Sequence, residues 1–326
     1  MRLPEITFRQ ALHDGLREEL ARDDTVILMG EDIGKNWGGA FQVTKGLAEE
    51  FGDDRIMDTP ISENSFIGAA VGAAITGLRP VAEIMFGDLI SLAVDQICNQ
   101  AAKMHYMFGG QTSVPIVVRT VFGEFRNMAA QHSQSLEAWF VHTPGLQVVV
   151  PAFPYDVKGL IKTAIRNPDP VMFFEHKMLY DKKEEVPDEE YLIPFGEARV
   201  RREGEDVTVW ATLNMVHKSL EVAEQLQKKG ISVEVIDPRT LVPLDKETLI
   251  ESVKKTGRLV VASEETKTGA TTGEVAATVQ EEAFDWLDAP IIRVNAPDAP
   301  IPFSPPLEQF VIPSKETLAK AITSIV

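Results

Sequence analysis

The strongest constraint on the fold is an alternation of short apolar runs with stretches of helical periodicity, repeated through both halves of the 326-residue chain. Short apolar runs bounded by polar residues predict buried strands. In the first half they span residues 25–30, 55–58, 79–85, 114–120, 146–151 and 170–177. The helices predicted between them include residues 41–51, 89–107, 134–144 and 155–167. This alternation predicts a mainly parallel sheet covered on both faces.

A charged, proline-containing stretch without periodicity separates the two halves. It follows Tyr180 and reads DKKEEVPDEEYLIPF, a composition typical of a linker. We therefore expect two doubly wound α/β domains, residues 1–185 and 201–326, joined by a linker over residues 186–200. The chain is also longer than the roughly 250–300 residues that one hydrophobic core usually supports, which agrees with two domains.

Composition and motifs exclude several classes of protein. The net charge of -17 argues against nucleic-acid binding through a basic surface. Cys98 is the single cysteine, so the chain has no internal disulfide. No apolar run has the length of a signal peptide core or a membrane span, and we expect a soluble cytoplasmic protein. The sequence contains no GxGxxG or GxxxxGK[ST] loop and no zinc-ligand spacing.

Two polar groups stand out against this background. Glu63 ends the segment DTPISE and begins a helix in which Gly68 and Gly72 recur at a spacing of four, so one helix face is nearly bare. His132 lies in the polar segment AAQHSQS after the strand predicted at residues 114–120. Glu63 alone fits either a capping glutamate or a functional carboxylate. Because both loops follow parallel strands, we expect them at the same sheet edge, where one pocket could hold both residues.

Ordered motifs along almost the whole chain resemble one family. They are DTPISE, AAVGAA..GLRPV.E, DQI.N.AAK..YM.GG, AQHSQS.EAWF.H.PGL, P.DVKGL...AIR and EVID.RTL.PLD. Together they resemble the beta subunit of the thiamine-diphosphate-dependent decarboxylating component of 2-oxoacid dehydrogenase complexes. NWGGAFQVTKGL, EIMFGD, YMFGG and PIPFS are most similar to its acetoin and pyruvate branch. The resemblance implies a transketolase-like pyrimidine-binding domain followed by a transketolase carboxyl-terminal domain.

The resemblance also implies roles for individual residues. Glu63 would hydrogen-bond a ring nitrogen of the cofactor's aminopyrimidine, and His132 would protonate or orient the dithiolane of a lipoyl group. Met85 and Leu89 match positions that line the pyrimidine pocket, and Leu89 replaces the usual aromatic residue. A structural potassium ion is implied at the backbone carbonyls of Ile116, Ala164, Ile165, Asn167 and Asp169.

One loop departs from the family pattern. Relatives fill the segment from Phe122 to Asn127 with more glycine, whereas this chain has Glu124 and Arg126 there. These two charged side chains predict altered access to the site.

The implied function is that of the beta subunit of an acetoin or pyruvate dehydrogenase. Such an enzyme forms a two-carbon hydroxyethyl adduct on the cofactor and transfers it as acetyl to the lipoyl group of an acyltransferase. A branched-chain 2-oxoacid dehydrogenase is the alternative, and Met85 and Leu89 disfavour it because that type tends to carry glutamine at position 85. A non-catalytic scaffold for an alpha subunit is a third possibility, which retention of Glu63 and His132 disfavours.

A missing motif predicts the partners. The GDG...N motif that holds magnesium and the cofactor's diphosphate is absent from this chain and lies on the alpha subunit in the family. The chain is therefore expected to form half of an active site in an alpha2beta2 heterotetramer. The resemblance further implies that the carboxyl-terminal domain anchors the subunit to the acyltransferase core, whose lipoyl domain is the substrate. The acidic charge of the chain suits a basic docking domain.

Overall fold

The computed structural model describes residues 3–35, 37–123 and 127–326. The strands are β1 Glu5–Thr7, β2 Val26–Gly30, β3 Ile56–Asp58, β4 Arg79–Ile84, β5 Val117–Phe122, β6 Gln147–Val149, β7 Val171–His176, β8 Lys183–Glu185, β9 Arg199–Arg202, β10 Val207–Ala211, β11 Val233–Asp237, β12 Thr240–Val242, β13 Leu259–Thr266 and β14 Ile292–Ala296. The α-helices are α1 Phe8–Arg22, α2 Leu47–Phe51, α3 Glu63–Ile75, α4 Ala102–Met107, α5 Glu137–Val141, α6 Pro154–Arg166, α7 Asn214–Gln227, α8 Lys246–Thr256, α9 Thr271–Ala283, α10 Pro305–Val311 and α11 Lys315–Thr323. Within these ranges, no helix is both long enough and apolar enough to cross a bilayer.

The first sheet has seven strands in the order β12-β6-β7-β5-β4-β2-β3. Every pair is parallel except β12 with β6. Strands β5 and β7 are buried at every position, as expected for a parallel sheet covered on both faces. Strand β12 belongs to the second half of the sequence, so this sheet also ties the two halves together.

The second sheet has five strands in the order β14-β13-β10-β11-β9 and is parallel except for β9. One hydrophobic cluster contains residues of both halves, including Phe174 and Trp210. The expected class of two doubly wound, mainly parallel α/β domains is confirmed. A small antiparallel pair of β1 with β8 places a strand inside the charged stretch that was expected to be irregular. The division into residues 1–185, 186–200 and 201–326 stays a prediction.

Close helix packing on one face of the first sheet depends on a single glycine. Helix α1 lies against α6, and a Cβ atom added at Gly15 would be 2.6 Å from Ile161 Cγ2. That separation is below any real carbon contact, so a side chain at Gly15 would push the two helices apart.

Three predicted helices differ from the structure. The helix predicted over residues 41–51 begins only at Leu47, because Gln42 and Gly46 adopt left-handed φ angles of 59° and 87°. The helix predicted over residues 134–144 is limited to α5, and Pro144 disfavours helical geometry just before it. The predicted helix 89–107 is a 3-10 helix at Gly87–Ala93, a π-helix at Asp95–Ala101 and then α4. Apolar spacing does not separate these helix types, because all three present a repeating face.

Candidate active site

Glu63 lies in the first turn of α3, where the chain turns back from the end of β3. Its side chain is only 5 % exposed. Ser62, at the N-cap position, makes no capping bond and donates instead to Ser65 Oγ at 2.8 Å. Among the described residues, Glu63 has no hydrogen-bond donor or ion-pair partner. Its carboxylate oxygens keep some solvent contact, so a ligand from outside this chain can reach them.

Glu31 and Asp32 follow β2 and share this edge of the sheet with Glu63. Burial raises the pKa of Glu31, and the negative charges of Asp32 and Glu63 raise it further. Strands β2 and β3 are parallel neighbours, so their carboxyl ends bring these acids together. The result is a local concentration of negative charge around Glu63 that would attract a proton or a protonated ring nitrogen.

A buried charge network lies in the middle of the sheet behind this edge. Arg119 binds Glu175 through two bonds of 2.8 Å and also bonds Glu83, and Tyr180 donates to Glu175 at 2.6 Å. Burial alone would lower the pKa of Arg119, but the charges of Glu175 and Glu83 outweigh it and raise the pKa above its ordinary value. The network therefore fixes the relative positions of β4, β5 and β7. Sequence reasoning missed it, although a charged residue inside each of three apolar strands was an available signal.

His132 is half-buried in the loop between β5 and α5. Its imidazole meets the edge of the Phe86 ring, with 4.6 Å between centroids. Its backbone oxygen accepts a hydrogen bond from Lys177, which follows β7. Nearby, Gln134 donates to Asp88 Oδ1 through its side chain at 2.8 Å and its backbone at 3.2 Å. Phe86, Asp88 and Lys177 were not identified from sequence, because only the fold brings them to this loop.

Met85 and Leu89 lie one position before and three positions after Phe86 in the sequence. Met85 is half-buried directly after β4, and Leu89 is half-buried in the 3-10 helix. Leu89 packs against the hydrophobic cluster on this side of the sheet. Both residues therefore flank Phe86 at the carboxyl edge, and their pyrimidine-binding role stays a prediction.

The five carbonyls predicted to hold potassium gather around the turn between α6 and β7. Four of them have partners within the fold. Ile116 O accepts from Val171 N at 2.9 Å, and Ala164 O accepts from Asn167 N at 3.2 Å. Ile165 O and Asn167 O accept from Arg79 Nη1 at 2.8 and 3.2 Å. A cation there would have to use the second lone pair of each carbonyl, beside the positive charge of Arg79. The described residues contain no group of three or more His, Cys, Asp or Glu side chains suited to a metal.

Two further features do not contribute described residues to this site. A cavity of about 720 Å³ lies between α5, β12 and α9, and its lining contains none of Glu63, Met85, Leu89 and His132. The loop residues Glu124 and Arg126, predicted to alter access, lie outside the described residues.

Comparison with protein families assigns both halves of the chain. Residues 4–183 match the pyrimidine binding domain of transketolase, and residues 196–318 match the transketolase C-terminal domain. A solved structure described as a split gene transketolase, inactive beta4 tetramer, superposes with a TM-score of 0.78 at 23 % identity and covers 98 % of both chains. That likeness supports the fold.

Curated relatives are more similar in sequence. The beta subunit of acetoin:2,6-dichlorophenolindophenol oxidoreductase of Bacillus subtilis is 47 % identical over 96 % of this chain and 95 % of its own length. The pyruvate dehydrogenase E1 component subunit beta of Rickettsia felis is 46 % identical over 98 % of both chains. The 2-oxoisovalerate dehydrogenase subunit beta of Bacillus subtilis is 45 % identical, again over 98 % of both.

Proposed function

The chain belongs to the family of beta subunits of thiamine-diphosphate-dependent 2-oxoacid and acetoin dehydrogenases, and we propose that it serves an acetoin or pyruvate dehydrogenase. The enzyme would remove a two-carbon unit from its substrate and pass it as acetyl to the lipoyl group of an acyltransferase component. Thiamine diphosphate, when bound, supplies a nucleophilic carbon and accepts the electrons of the broken carbon–carbon bond. Magnesium would be held by the alpha subunit.

The unpartnered carboxylate of Glu63, on a residue that is only 5 % exposed, carries this proposal. A carboxylate can share a proton with a heterocyclic ring nitrogen. A hydrogen-bond donor from the protein would prevent this sharing if it already occupied the carboxylate. The charges of Glu31 and Asp32 strengthen the attraction of the cluster for that proton. Glu63 would therefore hold the aminopyrimidine and set its protonation, while Met85 and Leu89 border the ring.

The surroundings of Glu63 support a site completed by another chain. Ile61 is 77 % exposed two positions before it, and Trp37, in the loop between β2 and α2, is 66 % exposed. A Cβ atom added at Gly72 on α3 would meet nothing within 4 Å, so the small-residue face is open there, whereas Gly68 is covered by Gln96. Exposed apolar groups beside an incomplete site are typical of a subunit interface. We propose an alpha subunit as the occupant, in an alpha2beta2 assembly.

His132 supplies the second half of the proposed chemistry. Its imidazole stands beside Phe86 at the same edge of the sheet, in a loop held by Lys177. An imidazole can give a proton to the sulfur that leaves when the dithiolane opens. We propose this role for His132 in acylation of the lipoyl group, and the acyltransferase core as the partner of the carboxyl-terminal domain. A cytoplasmic location and a potassium ion at the α6–β7 turn belong to the same proposal.

A branched-chain 2-oxoacid dehydrogenase is a second candidate, since the 2-oxoisovalerate relative is 45 % identical. The complex with the alpha subunit should be assayed with acetoin, pyruvate and 3-methyl-2-oxobutanoate. We expect turnover of one of the first two compounds. A preference for 3-methyl-2-oxobutanoate would instead favour a branched-chain 2-oxoacid dehydrogenase.

The role of His132 can be separated from that of Glu63 by using two electron acceptors. In His132→Ala we expect lipoyl acylation to fall by roughly 10²-fold or more, because a proton donor is lost, while reduction of an artificial acceptor persists. Equal loss with both acceptors, or no loss with either, would contradict the assignment.

A further inference from the structure

The loop that carries His132 is anchored at two points to a single lysine. Lys177 Nζ donates to Gly123 O at 2.7 Å and also to His132 O. Gly123 begins the loop where β5 ends, and His132 lies nine positions further along. Lys177 is itself buried at the end of β7. Two distant points of one loop are thus held by one ammonium group.

The beginning of the loop is also fixed by shape. Gly123 has a left-handed φ of 84°, and a Cβ atom there would be 2.0 Å from Nε2 of His176. His176 in turn pairs with Glu264 of β13 at 2.8 Å. The residue pair His176 and Lys177 therefore links the loop to the end of β7 and to the carboxyl-terminal domain.

Lys177 lies close both to the backbone of His132 and to the aromatic ring that contacts its imidazole. Phe86 contacts the imidazole edge-on, and Lys177 Nζ lies 5.7 Å from the centre of the Phe86 ring. Displacing Lys177 would therefore free the carbonyl of His132 and disturb the aromatic contact that orients its ring.

Acidic groups from both domains surround the ammonium. Burial lowers the pKa of Lys177 to about 8, and the charges of Asp88, Glu264 and Glu308 oppose this shift. Glu308 extends from α10 and is buried, and its Oε1 has no hydrogen-bond partner among the described residues. Below pH 8 the lysine is mainly charged, so its bonds to the two carbonyls are charge-assisted and stronger than those of a neutral amine.

We propose that Lys177 is a positioning residue that clamps Gly123 and His132 and thereby holds the His132 imidazole in place for lipoyl acylation. The catalytic consequence rests on the proposed function, whereas the clamp itself does not. Methionine at this position would keep the length of the stem but remove every donor. Arginine would keep a permanent charge and several donors.

Hydrogen exchange of the complex with the alpha subunit tests the clamp directly. In Lys177→Met, the peptide spanning residues 127–136 should exchange faster by on the order of tenfold or more, because two charged hydrogen bonds are lost. Lys177→Arg should remain close to wild type. So should Lys254→Met, which changes an exposed lysine paired with Glu251. Unchanged exchange in Lys177→Met, or equal acceleration throughout β4 and β7, would overturn the proposal.

Activity in the same preparations tests the consequence. Lys177→Met should lower lipoyl acylation by on the order of tenfold while reduction of an artificial acceptor persists. Wild-type acylation should decline as the pH rises through about 8, where Lys177 loses its charge, and Lys177→Arg should move this decline to higher pH. The same decline in both proteins would refute the link between clamp and catalysis. If the wild-type complex is inactive, the proposed function fails, and the exchange result still decides the clamp.

Discussion

Replacing Glu63 by glutamine would test the part of the site on which the proposed function depends most. The substitution conserves size and removes one negative charge from a side chain that is 5 % exposed. No described residue donates to this carboxylate, so the substitution breaks no hydrogen bond within the described chain. It also removes a charge that raises the pKa of Glu31, so repulsion in the acidic cluster decreases. We therefore expect the free energy of unfolding to stay the same or to rise slightly.

The expected effect on turnover is large. A side chain that exchanges a proton with a reacting group typically contributes about 10²–10⁴-fold, equivalent to roughly 3–5 kcal/mol of activation free energy. An amide cannot share a proton with the ring nitrogen, so Glu63→Gln should lose at least the lower part of this range. The assay is cofactor-dependent reduction of an artificial acceptor by the assembled complex, with assembly checked by gel filtration.

A matched control is available in the same domain. Glu137 is also a buried glutamate in the first turn of a helix, and burial together with the charge of Glu265 raises its pKa well above the ordinary value. Glutamine resembles the neutral acid, so Glu137→Gln should keep wild-type turnover near pH 7. Near-normal turnover in Glu63→Gln, or equal losses in both variants, would refute the role assigned to Glu63.

Three further predictions follow from particular contacts. Arg119→Met leaves two buried acids without their cation and should lower the free energy of unfolding in urea by about 3–5 kcal/mol. Arg17→Met removes an exposed ion pair and should change this free energy little. Equal effects of the two substitutions would contradict the stabilising role of the Arg119 network. In the unfolded chain Glu137 ionises near pH 4.5, whereas in the folded chain its raised pKa keeps it protonated. The free energy of unfolding of Glu137→Gln relative to wild type should therefore increase as the pH rises from 5 to 7. A constant difference would disprove the raised pKa. If potassium binds at the α6–β7 turn, exchanging sodium for potassium should raise the melting temperature. Identical melting temperatures in the two salts would contradict potassium binding there.

The fold was predictable because the alternation of apolar strands and helical segments is local in the sequence and repeats along the chain. The ends of the predicted strands 114–120 and 170–177 lie within three residues of the ends of β5 and β7. Helix type and helix length were less predictable. Gln42 adopts a left-handed conformation through its turn contacts, and the 3-10 and π segments share the apolar spacing of an α-helix.

The candidate site was predictable only where its residues lie in ordered motifs. Glu63 and His132 are in such motifs, and the structure shows that one is buried and the other lies against Phe86. Lys177 and Arg119 act through partners that are 36 to 56 positions away in the sequence. Long-range pairs of this kind have no sequence period, so they emerge only when the sheet is assembled.

The proposed chemistry requires that this chain supplies one half of a shared active site. The direct measurement is turnover with thiamine diphosphate, magnesium and an artificial acceptor for the chain alone, for its alpha subunit alone and for the two together. We predict activity on acetoin or pyruvate only in the mixture, with loss of that activity when the mixture contains Glu63→Gln. Turnover by the isolated chain would contradict the shared site.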